Sequence, residues 1–350
     1  MGLARAESVA ARAIAGLPEP VRRGLAGRPF HVDGATMDSQ AQLILALRER
    51  MGAPPLDALT PAEARDLLRR DATTVAGPGP PVATHELTVD GATGPLRARH
   101  YRPPPGEPGP RPLLVYLHGG GHVSGDIDTH DVPCRSLCLH AGVHVVSVDY
   151  RRAPEHPFPA AVDDTVAAVR WAYAHAATLG ADADRIAVGG DSAGGNLATV
   201  ACQLLARAGE RAPAAQLLVY PTTDRVGTYP SATSFAQGCY LTDADIDWYL
   251  TQYVGTTGHP LDDPRISPLL ADNLTGLPPA VVVTAGFDPL RDEGEAYAHA
   301  LRAAGTPTTL RRFPTLVHGF LCMAGGSRAA RDATVEIAGT LRATLDLHSG

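Results

Sequence analysis

Short apolar runs alternate with longer amphipathic stretches over the last two thirds of the chain, and this alternation restricts the fold more than any other feature. Most of the runs are apolar on both faces, which is typical of strands buried in a parallel sheet. Helical stretches at 160–180 and 292–305 lie between such runs and end at a glycine, as helices often do. We therefore predict an α/β protein with a mostly parallel, doubly wound sheet. The runs are PLLVYL (112–117), VHVVSV (143–148), RIAVG (185–189), QLLVY (216–220), AVVVTAG (280–286) and TTLRRF (308–313).

Two segments rich in proline and glycine, at 77–81 and 103–112, interrupt the first third of the chain. The pattern before them is helical and polar on one side, as in DSQAQLILALRERMG. The first sixteen residues are Ala-rich with charges at Arg5, Glu7 and Arg12, which is not the long uncharged core of a secretory signal. We expect an amphipathic surface or cap helix there.

Composition excludes several partners. The net charge of -7 is spread along 350 residues without a basic patch, so we expect no nucleic acid partner. No apolar run approaches the ~20 residues needed to cross a bilayer, so we expect no stable membrane insertion. Five cysteines without a paired CxxC spacing favour reduced thiols in a cytoplasmic protein.

Ser192 lies in VGGDSAGGNLA, between glycines at positions 190 and 194 and directly after the apolar run RIAVG. A sharp turn from strand to helix raises a serine hydroxyl above the sheet edge, and only small residues on both sides allow such a turn. Ligands of doubly wound sheets bind at this edge. Ser192 is therefore a candidate nucleophile, and a purely structural turn serine is the alternative.

The segment YLHGGGH follows the run PLLVYL and exposes the backbone of three consecutive glycines. Acyl transfer needs hydrogen-bond donors at the oxygen that becomes negatively charged in the tetrahedral intermediate. We expect the amides of Gly120, Gly121 and Ala193 to form this oxyanion hole. A flexible loop is the alternative, but two glycine-rich turns at two strand ends make it the weaker one.

A serine nucleophile needs a base, and chain order selects it among fourteen histidines. His318 follows the last predicted strand, and Asp288 follows the strand before it, which gives the order Ser192, Asp288, His318 expected of an α/β-hydrolase. In this assignment His318 transfers the proton and Asp288 orients its ring. His299 falls in the middle of a predicted helix and His348 lies near the C-terminus, so both are weaker candidates.

Three further carboxylates lie near these positions. Asp191 is next to the serine, and we expect its side chain to point away from the nucleophile and to be structural. Asp292 and Glu293 follow Asp288 by one helical turn, and we expect them to cap or flank the helix that begins there.

The chain resembles the bacterial hormone-sensitive-lipase-like esterases of the α/β-hydrolase superfamily. The resemblance implies hydrolysis of short- to medium-chain carboxylic esters through an acyl-enzyme, without metal or organic cofactor. It also implies a helical cap built from residues 1–80 and from an insertion at about 225–262 of a catalytic domain at 81–350. The matching motifs are HGGG (118–121), YRRAPEHPFPAAVDD (150–164), GDSAGG (190–195), YPTTD (220–224), DPRISPL (263–269), AGFDPLRDEG (285–294) and HGF (318–320).

One residue departs from the family pattern, because His122 follows the glycines where members commonly carry an aromatic ring. Either the pocket wall becomes polar and titratable there, or the imidazole packs as the ring would. His122, Asp191 and Tyr220 are our candidates for the wall of the substrate pocket.

Three alternatives remain open at this stage. A metal hydrolase is suggested by the His and Asp residues of HGGGHVSGDIDTHD, although their spacing does not fit a helical metal motif. A ligand-binding relative that lost catalysis is disfavoured because all three triad residues are present. An amidase or other acyl hydrolase would use the same triad, and the sequence does not distinguish it from an esterase. We expect a monomer or a homodimer.

Overall fold

The computed structural model describes residues 13–14, 16–106, 109–255 and 257–347. Eight strands form one sheet in the order β10-β9-β8-β7-β5-β6-β4-β3, and a separate hairpin pairs β1 with β2. The strands are β1 (His31–Val32), β2 (Ala35–Thr36), β3 (Ala83–Asp90), β4 (Pro95–Arg102), β5 (Arg111–Leu117), β6 (His144–Val148), β7 (Ala181–Asp191), β8 (Ala215–Val219), β9 (Ala280–Phe287) and β10 (Thr308–Val317).

The described helices precede the sheet strands, alternate with them and, in the case of the last one, follow them in the chain. They are α1 (Glu19–Ala26), α2 (Ser39–Arg50), α3 (Pro61–Val75), α4 (Asp131–Ala141), α5 (Ala160–Leu179), α6 (Ala193–Arg207), α7 (Pro230–Ser234), α8 (Asp243–Tyr253), α9 (Arg291–Ala303) and α10 (Arg328–Leu347). Helix α5 ends at Gly180, which has a left-handed φ of 73°, as the sequence predicted from the glycine. None of the described helices is long and apolar enough to span a membrane.

All six apolar runs are strands, and β5 to β10 are mutually parallel, which confirms the predicted doubly wound sheet. Strands β3 and β4 were not predicted. They pair antiparallel with each other at the edge of the sheet, and β4 also runs antiparallel to β6. Their exposed faces carry polar residues such as Arg97 and Glu86, so they lack the continuous apolar pattern of the central strands.

Apolar side chains cover both faces of the sheet. One cluster of buried residues joins the sheet to α5, α6 and α9, and a second cluster joins the opposite face to α4 and α10. Strands β6, β8 and β9 are buried along their whole length. Because these strands are covered on both sides, their carboxyl ends form a fixed edge on which reactive side chains can be held.

The N-terminal helices pack on this edge. Helix α3 begins with a capping box between Thr60 and Glu63. Its Arg65 donates hydrogen bonds to the carbonyls of Val123 and Ala153. Helix α3 therefore lies against the loop after β5. The domain boundaries remain predictions. The helix predicted over the first sixteen residues falls outside the described ones, apart from residues 13, 14 and 16.

Candidate active site

Ser192 occupies a tight turn between the end of β7 and the start of α6. Its backbone has φ 55° and ψ -119°, a conformation that residues with a side chain rarely adopt. A Cβ atom at Gly190 or Gly194 would lie 2.2 or 2.0 Å from the carbonyl oxygen of Leu117. Only glycine fits at both positions, which gives the physical reason for the glycines around this serine.

His318 lies within hydrogen-bond distance of both of its predicted partners. Its Nε2 is 3.0 Å from Ser192 Oγ, and its Nδ1 is 2.8 Å from Asp288 Oδ2. Asp288 is fully buried directly after β9, and its other oxygen accepts a hydrogen bond from the backbone of Leu290 at 2.8 Å. The sheet therefore brings together the three side chains that chain order selected.

The loop after β5 has a left-handed backbone at three consecutive residues, with φ of 115° at Gly120, 60° at Gly121 and 63° at His122. The carbonyl of Gly120 is turned inward and accepts hydrogen bonds from Val123 and Ser124. Throughout the described ranges, no hydrogen-bond acceptor is found for the N–H groups of Gly120, Gly121 and Ala193. Free amides beside a serine are the donors that an oxyanion requires.

The carboxylate of Asp191 binds the loop after β5 and its neighbours rather than the serine hydroxyl. One of its carboxylate oxygens accepts hydrogen bonds from Tyr116 Oη at 2.7 Å and from the backbone of Gly119 at 3.0 Å. Nε2 of His130 lies 3.3 Å from the same oxygen. Burial opposes ionisation of Asp191, but His130 and Tyr116 outweigh it and lower the pKa of this carboxyl. Asp191 contributes to the cavity wall, and its polar atoms are already engaged.

The imidazole of His122 stacks on the ring of Tyr253, with centroids 3.7 Å apart and an angle of 7° between the planes. Burial lowers the pKa of His122 to about 3, so the ring is neutral at physiological pH. Of the two interpretations left open by the sequence, these contacts favour an imidazole that packs where an aromatic ring would pack.

A cavity of about 690 Å³ opens above Ser192. The turn at Ser192 and the loops that carry Gly120 and His318 form its floor, while α2, α3 and α8 contribute apolar side chains such as Leu47, Leu67 and Leu250. The ring of Tyr249 covers Gly121, because a Cβ atom at Gly121 would lie 2.2 Å from it. Sequence patterns did not identify Tyr249 or Tyr253, since nothing local to α8 indicates that it packs on the glycine loop.

Tyr220 has a different place from that expected of a pocket residue. It is buried, it does not belong to the cavity wall of the described residues, and its ring centroid lies 4.6 Å from that of His318. Its ring packs against the imidazole of His318 instead of lining the cavity. His299 is exposed on α9, as expected of a surface residue, and His348 lies outside the described residues.

Asp292 and Glu293 lie in the first turn of α9 but bind elsewhere in the chain. Asp292 accepts a hydrogen bond from the backbone of Ser231 at 2.8 Å. Glu293 accepts one from the backbone of Thr223 at 2.7 Å and pairs with Arg225. Asp292 therefore binds helix α7, and Glu293 binds the loop after β8. Both flank the start of α9, which is one of the two roles that we expected, and neither caps it.

The His and Asp residues of HGGGHVSGDIDTHD do not converge as a common ligand set. Nδ1 of His118 contacts the carbonyl of Gly119, and Asp126 pairs with Arg69. Across the described ranges, no group of three or more His, Cys, Asp and Glu residues is arranged to hold a metal ion.

Comparison with known proteins identifies relatives over nearly the whole chain. A family model with the alpha/beta hydrolase fold matches residues 114–322. The "Carboxylic ester hydrolase LipN" of Mycobacterium tuberculosis is 47% identical over 97% of this chain and 91% of its own length. The "Ethyl acetate hydrolase" of Pseudomonas putida is 39% identical over 87% of this chain and 96% of its own length.

Solved structures agree with these matches. The structure of an alpha/beta hydrolase enzyme from the metagenome of Lake Arreo, Spain, superimposes with a TM-score of 0.85 at 43% identity. It covers 88% of this chain and is itself covered to 98%. A thermostable esterase from Pseudomonas putida superimposes with a TM-score of 0.84 at 34% identity, over 88% and 98% of the two chains.

Proposed function

The chain belongs to the hormone-sensitive-lipase-like esterases of the α/β-hydrolase superfamily, and from this membership we propose that Ser192, His318 and Asp288 carry its ester hydrolysis. Both the fold and the family predicted from the motifs are thereby confirmed. The protein is a carboxylic ester hydrolase, and the assignment of roles to its residues is our proposal.

The first half of the reaction forms the acyl-enzyme. Ser192 Oγ attacks the ester carbonyl while its proton passes to Nε2 of His318, 3.0 Å away. Asp288 keeps the proton of the imidazole on Nδ1 and stabilises the imidazolium that forms. The imidazolium then protonates the leaving alcohol, and the acyl group stays on the serine.

The second half repeats the sequence with water as the nucleophile. His318 takes a proton from the water, which attacks the acyl-enzyme, and Ser192 leaves with the proton returned by the imidazolium. Both tetrahedral intermediates place negative charge on the former carbonyl oxygen. The free amides of Gly120, Gly121 and Ala193 donate hydrogen bonds to that oxygen.

One observation carries this proposal: an unbroken series of contacts from Asp288 through His318 to Ser192, at 2.8 and 3.0 Å, beside a loop of unpaired amides. Each of these side chains and amides, taken alone, could have a purely structural role. Their convergence at one sheet edge fits the requirements of acyl transfer.

Small-molecule esters with short to medium acyl chains are the proposed substrates. A cavity of about 690 Å³ is in the range of sites for small organic ligands. The apolar residues of α2, α3 and α8 fit the hydrocarbon parts of an ester, and they support the proposed cap formed by residues 1–80 and 225–262. An amidase with the same triad is the second candidate, because the leaving-group step is chemically equivalent for an amine.

We also propose a cytoplasmic location and a monomeric or homodimeric state, with no metal or organic cofactor. All five cysteines are unpaired, and four of them are buried, which suits a reducing compartment. The triad and the amides supply the groups that ester hydrolysis needs.

A panel of activated esters graded from two to sixteen carbons tests the proposal, together with matched amides. We expect turnover of the shorter esters, and we expect an organophosphate to abolish it with an adduct on Ser192 by mass spectrometry. An adduct on another residue, or full turnover after modification of Ser192, would refute the assignment. Faster initial rates on the amides would favour the amidase.

A further inference from the structure

A buried arginine lies in the wall of the reaction cavity, in addition to the groups that the mechanism uses. Arg225 follows the loop after β8, and only 9% of its side chain is exposed. It lines the same cavity as Ser192, together with Thr222, His122 and Tyr253. Its charge acts on His122, which lies next to the oxyanion glycines.

Only one edge of the guanidinium is used by the protein. Nη2 of Arg225 donates to both carboxylate oxygens of Glu293 at 2.5 Å. Nε is buried without a hydrogen-bond partner, and Nη1 has no acceptor within the described part of the chain. A buried guanidinium with unsatisfied N–H groups is unfavourable unless another group supplies the acceptor.

The position of the guanidinium is fixed by several contacts. Glu293 accepts the backbone N–H of Thr223 as well as the guanidinium, and the backbone N–H of Arg225 donates to Ser267 Oγ at 2.8 Å. These contacts hold the arginine at both its backbone and its head group. The unused donors therefore have a fixed direction, which is the condition for a selective contact.

We propose that Arg225 is a specificity-determining residue that donates a hydrogen bond to a second, neutral oxygen of the ester substrate. The proposal rests on the ester hydrolysis proposed above and names the substrate class: esters with an ether, hydroxyl, keto or further ester oxygen a few atoms from the scissile carbonyl. The neighbouring hydroxyl of Thr222, which also has no partner among the described residues, is a second hydrogen-bonding group at this place.

A neutral acceptor fits better than an anion. Glu293 already balances the charge of Arg225, and a substrate carboxylate would approach that second carboxylate. Two further arginines line the cavity. Arg48 is matched by Asp71 at 3.0 Å, and Arg70 is exposed to solvent and lies near the same carboxylate. The cavity thus has donors left over rather than an excess of positive charge.

The test uses pairs of esters in which one CH2 group is replaced by oxygen. On the acyl side, 4-nitrophenyl pentanoate is compared with 4-nitrophenyl 3-methoxypropanoate. On the alcohol side, pentyl acetate is compared with 2-ethoxyethyl acetate. The ratio of kcat/KM, oxygen ester over hydrocarbon ester, is measured for the wild-type protein and the variants, so that intrinsic reactivity cancels between proteins.

The variants remove the donors without leaving a lone buried carboxylate. In the double variant Arg225→Met, Glu293→Gln, we expect the ratio for one of the two pairs to fall by about 10-fold, the value of one hydrogen bond to a charged donor. The pair that responds shows whether the oxygen belongs to the acyl or the alcohol part. Arg225→Lys keeps a donor and should lose less, and Arg48→Met is the control for a change of charge elsewhere in the cavity.

Each outcome decides one question. An unchanged ratio for both pairs in the double variant, or an equal fall in Arg48→Met, overturns the role of Arg225. If the double variant does not fold, the single variant Arg225→Lys takes its place. Its ammonium group cannot reproduce the fixed directions of the guanidinium donors, so a smaller fall is expected and a ratio equal to that of the wild-type protein overturns the role. Absence of turnover of all four esters by the wild-type protein would instead contradict the proposed function.

Discussion

His122 and Tyr253 lie face to face, with their ring centroids 3.7 Å apart, and they connect the glycine loop after β5 to helix α8. One helical turn earlier, Tyr249 of the same helix covers Gly121. Two consecutive residues of the loop are thus covered by two aromatic rings at i and i+4 of α8. The orientation of the amide donors consequently depends on the position of this helix.

Loss of the Tyr253 ring should weaken catalysis more than loss of its hydroxyl. A ring stack contributes about 0.5–1.5 kcal/mol, so Tyr253→Leu should lower kcat by about 3- to 10-fold and weaken binding of a boronic acid transition-state analogue. The hydroxyl of Tyr253 has no hydrogen-bond partner among the described residues, so the matched control Tyr253→Phe should stay near wild type. Equal effects of the two variants would show that the stack does not orient the loop.

A methyl group at Gly121 should disrupt the oxyanion hole through Tyr249. The added Cβ would lie 2.2 Å from the ring, and φ at this position is 60°. We expect Gly121→Ala to lower kcat by about 100-fold or more, the usual cost of losing one oxyanion donor. The steady-state rate on a short activated ester is the measurement.

The double variant Gly121→Ala, Tyr249→Ala separates the steric clash from backbone strain. Removal of the ring relieves the clash, while about 1–2 kcal/mol of left-handed strain remains. Partial recovery of kcat relative to Gly121→Ala is therefore expected, with Tyr249→Ala alone as the reference. A double variant no faster than the single one would locate the damage elsewhere.

Replacement of Ser192 should reveal the strain that its turn stores. Ser192→Ala should lower kcat by about 10⁵-fold or more, since the nucleophile is lost. A backbone with φ 55° and ψ -119° costs about 1–3 kcal/mol for a residue with a Cβ atom, and glycine avoids this cost. Allowing for the greater entropy of glycine in the unfolded chain, Ser192→Gly should be about 1 kcal/mol more stable than Ser192→Ala. Urea unfolding of the two inactive variants measures the difference, and a less stable glycine variant would argue against strain.

Local patterns were sufficient for the central sheet because its strands are covered on both faces and read as continuous apolar runs. The turn at Ser192, the strand ends at Asp288 and His318, and the glycines after β5 are equally local, so all of them could be found from the sequence. Their catalytic roles stay a proposal. Strands β3 and β4 were not predicted because one face of this antiparallel pair carries charged residues such as Arg99, which forms ion pairs with Glu86 and Asp128.

Contacts between segments far apart in the chain could not be derived from periodicity. Nothing near Tyr253 indicates that its ring meets His122. The helical context of Glu293 indicated a residue that caps or flanks α9 and gave no sign of its bond to the loop at Thr223. Such contacts depend on how helices and loops that are distant in the chain come together in three dimensions. The candidate reacting groups could be found from local patterns, whereas the residues that contact them could be found only from the structure.

Two buried histidines on the neighbouring strands β4 and β6 should make the fold sensitive to acid. Nε2 of His100 on β4 is 2.9 Å from Nδ1 of His144 on β6. Burial lowers the pKa of each to about 4. The charges of His144, Arg102 and His85 lower the pKa of His100 further, and those of Arg102 and Arg111 lower the pKa of His144. Between pH 6.5 and 4 the unfolded chain therefore binds more protons than the folded one, so the free energy of unfolding rises with pH in this window. The stabilisation is complete above pH 6.5 and is lost as the pH falls towards 4.

His100→Gln removes one titrating group, and its amide keeps a donor for His144. At pH 4.5 a histidine whose pKa falls from 6.5 to about 4 on folding costs about 2 kcal/mol relative to pH 7.5. The loss of unfolding free energy between these two pH values should thus be about 2 kcal/mol smaller in His100→Gln than in the wild-type protein, as measured by urea unfolding at each pH. His85→Gln is the control, because His85 is exposed and lies opposite His100 in the β3–β4 register. An equal fall in unfolding free energy between pH 7.5 and 4.5 in all three proteins would contradict this prediction. Groups other than His100 and His144 would then cause the loss of stability in acid.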